Sequence, residues 1–319
     1  MKIQYIDRKF SRASSLVIQQ ANDIINDYRA QGYDLSLRQL YYQFVSKDLI
    51  PNRDSEYKKL GSIINDARLA GLVDWSAITD RGRNVAGSYG VDGEPQDRFS
   101  QILDWLTHLD RWKGQKYRPE IWVEKDALSG VVGRVSGEFD VPYIACKGYM
   151  SQSEMWAAGR RLREWNRKGQ IPIIIHLGDH DPSGKDMSRD IEERLMMFAE
   201  TYVEVRRIAL NWDQIQTYNP PPNPAKITDS RAAKYIDEFG DESWELDALD
   251  PATLADLMRD EINDIIDLNT REAVIAREEV AKRGVQAVSD NWEDVITHLR
   301  DEGLLDDSAD EECDESEDE

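Results

Sequence analysis

The sequence predicts an α/β protein, in which a helical N-terminal domain precedes a mostly parallel sheet and a helical extension closes the chain. Three observations carry this. Amphipathic helical patterns fill the region before Gly71. Short apolar runs at 121–123, 141–146, 171–177 and 203–210 then alternate with helical segments at 127–135, 151–167 and 183–199. That alternation is the pattern of a parallel sheet covered on both faces. Residues 230–305 return to helical texture, with Asp250-Pro251 as an N-cap and a first-turn proline.

Taken in order, residues 11–28 form the first helix, with Val17, Ala21, Ile24, Ile25 and Tyr28 on one face. Ser36-Leu-Arg-Gln39 has capping-box spacing and opens a second, whose stripe is Leu37, Leu40, Tyr41, Phe44 and Val45. After Pro51, residues 54–69 give a third, with Tyr57, Leu60, Ile63, Ile64 and Ala67 inward. Gly71 ends it, and LVDW followed by AITDRGR reads as two short strands. Three helices and a β-ribbon make a winged helix-turn-helix, whose third helix reads DNA. Arg53, Lys58, Lys59, Arg68, Arg81 and Arg83 would then contact phosphates; an ordinary small helical domain is the competing reading. A polar loop at 87–93 leads into a helix over 95–112. The expected division is 1–112, 113–305 and a tail, 306–319.

Composition bounds the function. The 319 residues carry a net charge of −22, which taken alone argues against a polyanionic partner. The charge is uneven: residues 1–120 sum to +2 and residues 121–319 to −24. Ten acids lie in 306–319, a segment expected to be disordered and either solubilising or competing with a polyanion for basic surface. No run reaches membrane-spanning length and no apolar segment follows Met1, so a chain of the cytoplasm is expected, associated with no membrane. Two cysteines, Cys146 and Cys313, exclude a disulfide framework.

Ligands of open parallel sheets sit beyond the carboxyl ends of the strands. There the first run ends in Val123-Glu124-Lys125-Asp126 and the third in Gly178-Asp179-His180-Asp181-Pro182-Ser183-Gly184. Two aspartates this close tolerate each other when a cation bridges them, and oxygen donors without a Cys or His cluster favour Mg²⁺ or Mn²⁺. The alternative is that Asp181, before Pro182, caps the next helix. The stretch ending Gly184-Lys185 is not a phosphate-binding P-loop: five residues separate its glycines and Asp186 follows the lysine.

These motifs resemble the Toprim domain, the Mg²⁺-binding fold of topoisomerases, primases and some nucleases. With the preceding Arg38-Gln-Leu-Tyr41-Tyr42 helix, Gly148 and Trp244-Glu-Leu-Asp-Ala-Leu249, the chain resembles the A subunit of topoisomerase VI and its meiotic double-strand-break relative over about 10–265. The resemblance implies that Tyr42 is a nucleophile accompanied by Arg38. It implies that Glu124, Asp179 and Asp181 hold Mg²⁺, that cleavage of double-stranded DNA leaves a 5′-phosphotyrosyl bond, and that a homodimer pairs each tyrosine with the other protomer's metal site. The chain is shorter than a full A subunit and most resembles the reduced stand-alone homologues of phages and mobile elements. An ATPase subunit in trans is not implied, and the setting would be the nucleoid.

The tyrosine helix can also be read on its own. Arg38 and Tyr42 are i and i+4 and share a face, whereas Tyr41 lies on the core stripe. Tyr42 is therefore expected to be the exposed one, with Arg38 favouring its phenolate over a phenol of pKa about 10. A tyrosine that braces the fold is the structural alternative. Lys125 is expected at the surface or on phosphate, His180 pointing away from the aspartates, and Glu245 and Asp247, a second acidic pair, in a structural role or supporting the site from behind its first ring of residues. Two other functions stay open: a Toprim nuclease that activates water, and a DNA-binding regulator without catalysis.

Overall fold

A computed structural model describes residues 2–78, 103, 105–225, 229 and 231–305. Contacts divide the chain into two units, Met1–Val85 with Gln115–Ile266, and Ala86–Gly114 with Asp267–Glu319. This grouping differs from the expected boundary at 112, because the N-terminal helices pack with the sheet-bearing segment.

The first unit begins with three mutually packed helices, α1 (Arg12–Ala30), α2 (Leu37–Ser46) and α3 (Asp54–Leu69). Ser11 caps α1 by accepting from the Ser14 amide. At α2 the capping box forms: Ser36 Oγ accepts from the Gln39 amide at 3.2 Å, and Gln39 Oε1 accepts from the Ser36 amide at 2.8 Å. Ile18, Ala21, Ile24, Leu40, Phe44, Leu60 and Ile64 are buried among the three.

The expected strand at LVDW is not formed. Asp74 accepts from the Ser76 amide and hydroxyl and pairs with Arg29 at 2.9 Å, which nucleates a 3-10 turn at Trp75–Ala77 instead. Beyond it only a single bridge, Leu35 to Ile78, is described. Of the second expected strand, Ala77 belongs to that turn and Ile78 to the bridge, and its remaining residues, with Arg81 and Arg83, lie outside the described residues, as do the 87–93 loop and the tail 306–319.

The sheet is wholly parallel, in the order β2-β1-β3-β4, with β1 (Tyr117–Val123), β2 (Tyr143–Ala145), β3 (Ile171–Leu177) and β4 (Glu204–Ala209). Its crossovers contain α4 (Ser129–Phe139), α5 (Gln152–Arg167) and α6 (Pro182–Ala199). Trp122 and Ile174 share a core with Met155, Leu162, Ile191 and Leu195 of α5 and α6. By strand alternation Ile121 and Ile175 face the other side, where α4 packs with α9 (Pro251–Ile265). Between β4 and α9 lie α7 (Trp212–Tyr218), β5 (Asn223–Pro224), α8 (Ala232–Phe239) and β6 (Glu242–Ser243). Here the expected all-helical stretch is interrupted, because β5 and β6 pair antiparallel.

In the second unit, α10 (Leu268–Asp290) and α11 (Trp292–Asp301) are helical as expected. The helix expected to reach Trp112 stops at Thr107. The Leu109 amide donates at 2.6 Å to Glu278, which also takes the Arg111 Nε, so that stretch turns towards α10 rather than continuing.

Candidate functional site

Glu124 follows β1 directly, and its amide donates to the Leu177 carbonyl at 2.9 Å, which holds it beside the end of β3. Its Oε2 accepts from the Asp179 amide at 2.8 Å. The approach requires glycine on both sides: a Cβ on Gly178 or on Gly184 would stand 3.1 Å from that oxygen, and on Gly184 also 2.3 Å from the Asp179 carbonyl. Arg207 of β4 fixes the loop from below. It donates to the carbonyls of Gly178 at 2.9 Å, Asp179 at 2.6 Å and Gly184 at 2.9 Å.

The two aspartates diverge. Asp181 caps α6, its Oδ1 accepting from the Gly184 amide at 2.6 Å, so the capping alternative is realised. Asp179 is buried; its Oδ1 accepts from the Leu246 amide at 2.7 Å and its Oδ2 lies 3.0 Å from Lys125 Nζ. His180 between them points away, as expected. Its Nδ1 bonds the Tyr235 hydroxyl at 2.7 Å inside a ring of Trp212, Tyr235, Phe239 and Trp244.

His180 and Trp244 also exchange backbone hydrogen bonds of 2.8 and 2.9 Å. That pairing lays the next residues alongside Asp179 and brings in Glu245 and Asp247. Lys125 is not a surface lysine. Its ammonium sits among Asp179 at 3.0 Å, Glu245 at 2.7 Å and Asp247 at 3.0 Å. Burial opposes its charge, and the three carboxylates outweigh burial and hold its pKa above the ordinary lysine value. Asp179 is pushed up to about 7, by burial first and by Glu124 and Asp247, against Lys125. Glu124 is also raised, by burial and by Asp181. Glu245 is drawn down to about 2, as Lys125 and Arg38 overcome its burial.

The same acids reach α2. Arg38 pairs with Glu245 and its Nε lies 3.3 Å from Asp247, while its guanidinium stands 5.9 Å from the Tyr42 ring centroid. Tyr42 is not the exposed member of its pair: it is 2 % exposed and Tyr41 5 %. The segment at β5 covers it, and Asn223 donates to its hydroxyl at 3.2 Å. Asn223 is itself held by Asn52 at 2.9 Å, which accepts from the Tyr41 hydroxyl at 2.9 Å. Burial first, then Glu245 and Asp247, raise the Tyr42 pKa above that of an ordinary phenol, and Asn223 and Arg38 only partly offset them. Arg38 thus favours the phenolate as expected, but burial and the two acids it pairs with outweigh it. Tyr42, Arg38, Asn52, Arg53, Asn223 and Glu245 help line a cavity of about 330 Å³.

Of the expected phosphate contacts, Arg53 and Lys58 are exposed and make no ion pair among the described residues, and Lys59 is exposed with Glu56 at 3.5 Å. Arg68 is half-buried, stacked 4.7 Å from the Trp75 ring and donating to its carbonyl, so it supports the turn.

Among the described residues, no three Asp, Glu, His or Cys side chains converge as a preformed metal cage. The donor chemistry nevertheless fits a hard divalent cation. Glu124 is half-buried and Asp179 buried, desolvation raises the pKa of both, Asp181 further raises Glu124 and Glu124 further raises Asp179, whose countercharge is the Lys125 ammonium. Lys125, Asn223, Arg207 and the pair Glu245 and Asp247 gain their importance from contacts across long stretches of chain. Lys125 beside Glu124 and the acids of Trp244-Glu-Leu-Asp-Ala-Leu249 stand out in the sequence, whereas nothing in it singles out Asn223 or Arg207. No protein-family model matches the chain, and no curated protein matches it either.

Proposed function

We propose that this protein cleaves double-stranded DNA by Mg²⁺-dependent transesterification at Tyr42, in the manner of a topoisomerase VI A subunit-like enzyme acting as a homodimer. One observation carries the reading, and it joins the tyrosine to the acids of its own chain rather than to a partner's: contacts link Tyr42 through Arg38, Glu245, Asp247 and Lys125 to Asp179 at the strand ends. The tyrosine and the acidic loop are therefore parts of one electrostatic system. Helices α1–α3 serve as the DNA-binding part, and Arg53, Lys58 and Lys59 meet phosphates.

In this reaction the Tyr42 oxygen forms a bond to phosphorus as the bond to the 3′ oxygen breaks. The phenolic proton is lost and the 3′ oxygen gains one, so no co-reactant is consumed. Asn223 aims the hydroxyl, and Arg38 sits where negative charge develops. Glu124, Asp179 and Asp181 would hold Mg²⁺, which supplies positive charge to the phosphate.

A second reading, a metal-dependent nuclease that uses water, is favoured by the burial and raised pKa of Tyr42. Plasmid cleavage by Tyr42→Phe and Glu124→Ala separates the two. The proposal expects both variants to lose cleavage by at least about a hundredfold. Wild-type cleavage by Tyr42→Phe with loss in Glu124→Ala would establish the nuclease; no cleavage by the wild type with bound DNA would favour the regulator.

A further inference from the structure

A second cleft lies beside the first turns of α6. Its volume is about 480 Å³ and its lining includes Lys185, Asp186, Arg189, Arg231, Lys234 and Phe239. Lys185 and Arg189 are i and i+4 on α6 and so share a face. Lys234 projects from α8, which Arg231 precedes. The charges are unevenly satisfied. Asp186 takes Arg189 at 2.7 Å, Arg231 at 2.9 Å and the Tyr149 hydroxyl at 2.8 Å, so this acid is fully committed. Lys185 and Lys234 have no carboxylate within ion-pair distance among the described residues; Glu238, also on the lining, stays outside it. Lys185 Nζ instead rests 5.3 Å from the centroid of Phe239. In a chain of net charge −22, Lys185, beside the Phe239 ring, and Lys234 leave this cleft with two exposed ammonium groups that pair with no carboxylate among the described residues.

We infer that this cleft is a phosphate-binding site, in which Lys185 and Lys234 clamp the anion and Arg189 and Arg231 line its rim. Its volume suits a nucleotide-sized group, and the lysines act as point charges for phosphate oxygens. If the phosphate belongs to DNA the inference rests on the proposed function, and the cleft carries the duplex past the end of β3. If it belongs to a free nucleotide, the site is independent of that function.

The test compares wild type with Lys185→Glu/Lys234→Glu, and with Lys185→Gln/Lys234→Gln in case charge reversal perturbs folding, each checked by thermal unfolding. The probes are a short fluorescent duplex, titrated at several salt concentrations, and a 5′-phosphorylated dinucleotide. The expected result is duplex affinity at least ~10-fold weaker in the variants, with the slope of log K against log salt reduced by about 2. Duplex binding unchanged in both affinity and slope would overturn a DNA-bound cleft. Dinucleotide binding that the variants lose, with no duplex binding by wild type, would keep the cleft and overturn the DNA reading. Wild type that binds neither probe would overturn both.

Discussion

Lys125 is the shared countercharge of three carboxylates, Asp179, Glu245 and Asp247. Three carboxylates converge on its ammonium, and removing it would leave them mutually repelling in a poorly hydrated place. Lys125→Met is expected to cost roughly 3 kcal/mol of stability, as for breaking a buried ion network. Because Asp179 would then need another countercharge, Mg²⁺ should raise the Tm of this variant more than that of wild type. Equal Mg²⁺ shifts would show that the Lys125 ammonium and a divalent ion do not compete for these acids. The residues that define the site differ in how legible they were. Glu124, Asp179 and Asp181 follow apolar strands immediately and so announce themselves. Lys125 and Asp247 lie 122 positions apart in sequence, and their meeting depends on the pairing of His180 with Trp244. Tyr42 departs from its expected exposure for a related reason: its own helix leaves it outside the apolar stripe, but the β5 segment folds over it from far along the chain.

Among elements, β3 best shows how sequence pattern becomes structure and where it stops. Its seven residues were legible as an apolar run with the observed ends, because a strand buried on both faces needs no polar alternation. The neighbouring LVDW run is as apolar in part, yet Asp74 offers a local hydrogen-bonding alternative that a pattern of hydrophobicity does not register. β3 also carries a buried titratable group. His176 is fully buried, with Nδ1 bonded to Ser188 Oγ at 2.8 Å, and burial followed by the charge of Arg207 lowers its pKa to about 3. The unfolded chain binds this proton near pH 6.5, which the fold refuses until about pH 3. Its contribution to stability is therefore complete above 6.5 and is lost as pH falls towards 3, by roughly 1.4 kcal/mol per pH unit within that window. Asp179, raised to about 7, acts with the opposite sign, its contribution lost as pH rises through 7. Urea unfolding across this range should show a shallower acid decline in His176→Gln than in wild type; parallel curves would mean that the imidazole is protonated in the fold.

At the scale of the whole molecule, charge partition matters more than its total. The sum of −22 suggests a chain that avoids polyanions, but residues 1–120 are slightly basic and ten acids lie in 306–319. Truncation after Leu305 should tighten DNA binding at low salt and leave it unchanged at high salt, where the Debye length falls below about 10 Å. Anisotropy titrations at the two salt levels check this, and equal affinities at low salt would assign the tail to solubility alone.

The central claim is that Tyr42 becomes covalently joined to DNA. The direct measurement incubates the protein with Mg²⁺ and duplex DNA labelled at internal phosphates, denatures the mixture, and follows label retained on protein before and after protease. The account predicts protein-bound label at 5′ ends, released as a short peptide containing Tyr42 and absent from Tyr42→Phe. Cleaved DNA with free 5′ phosphates and no label on protein would contradict it.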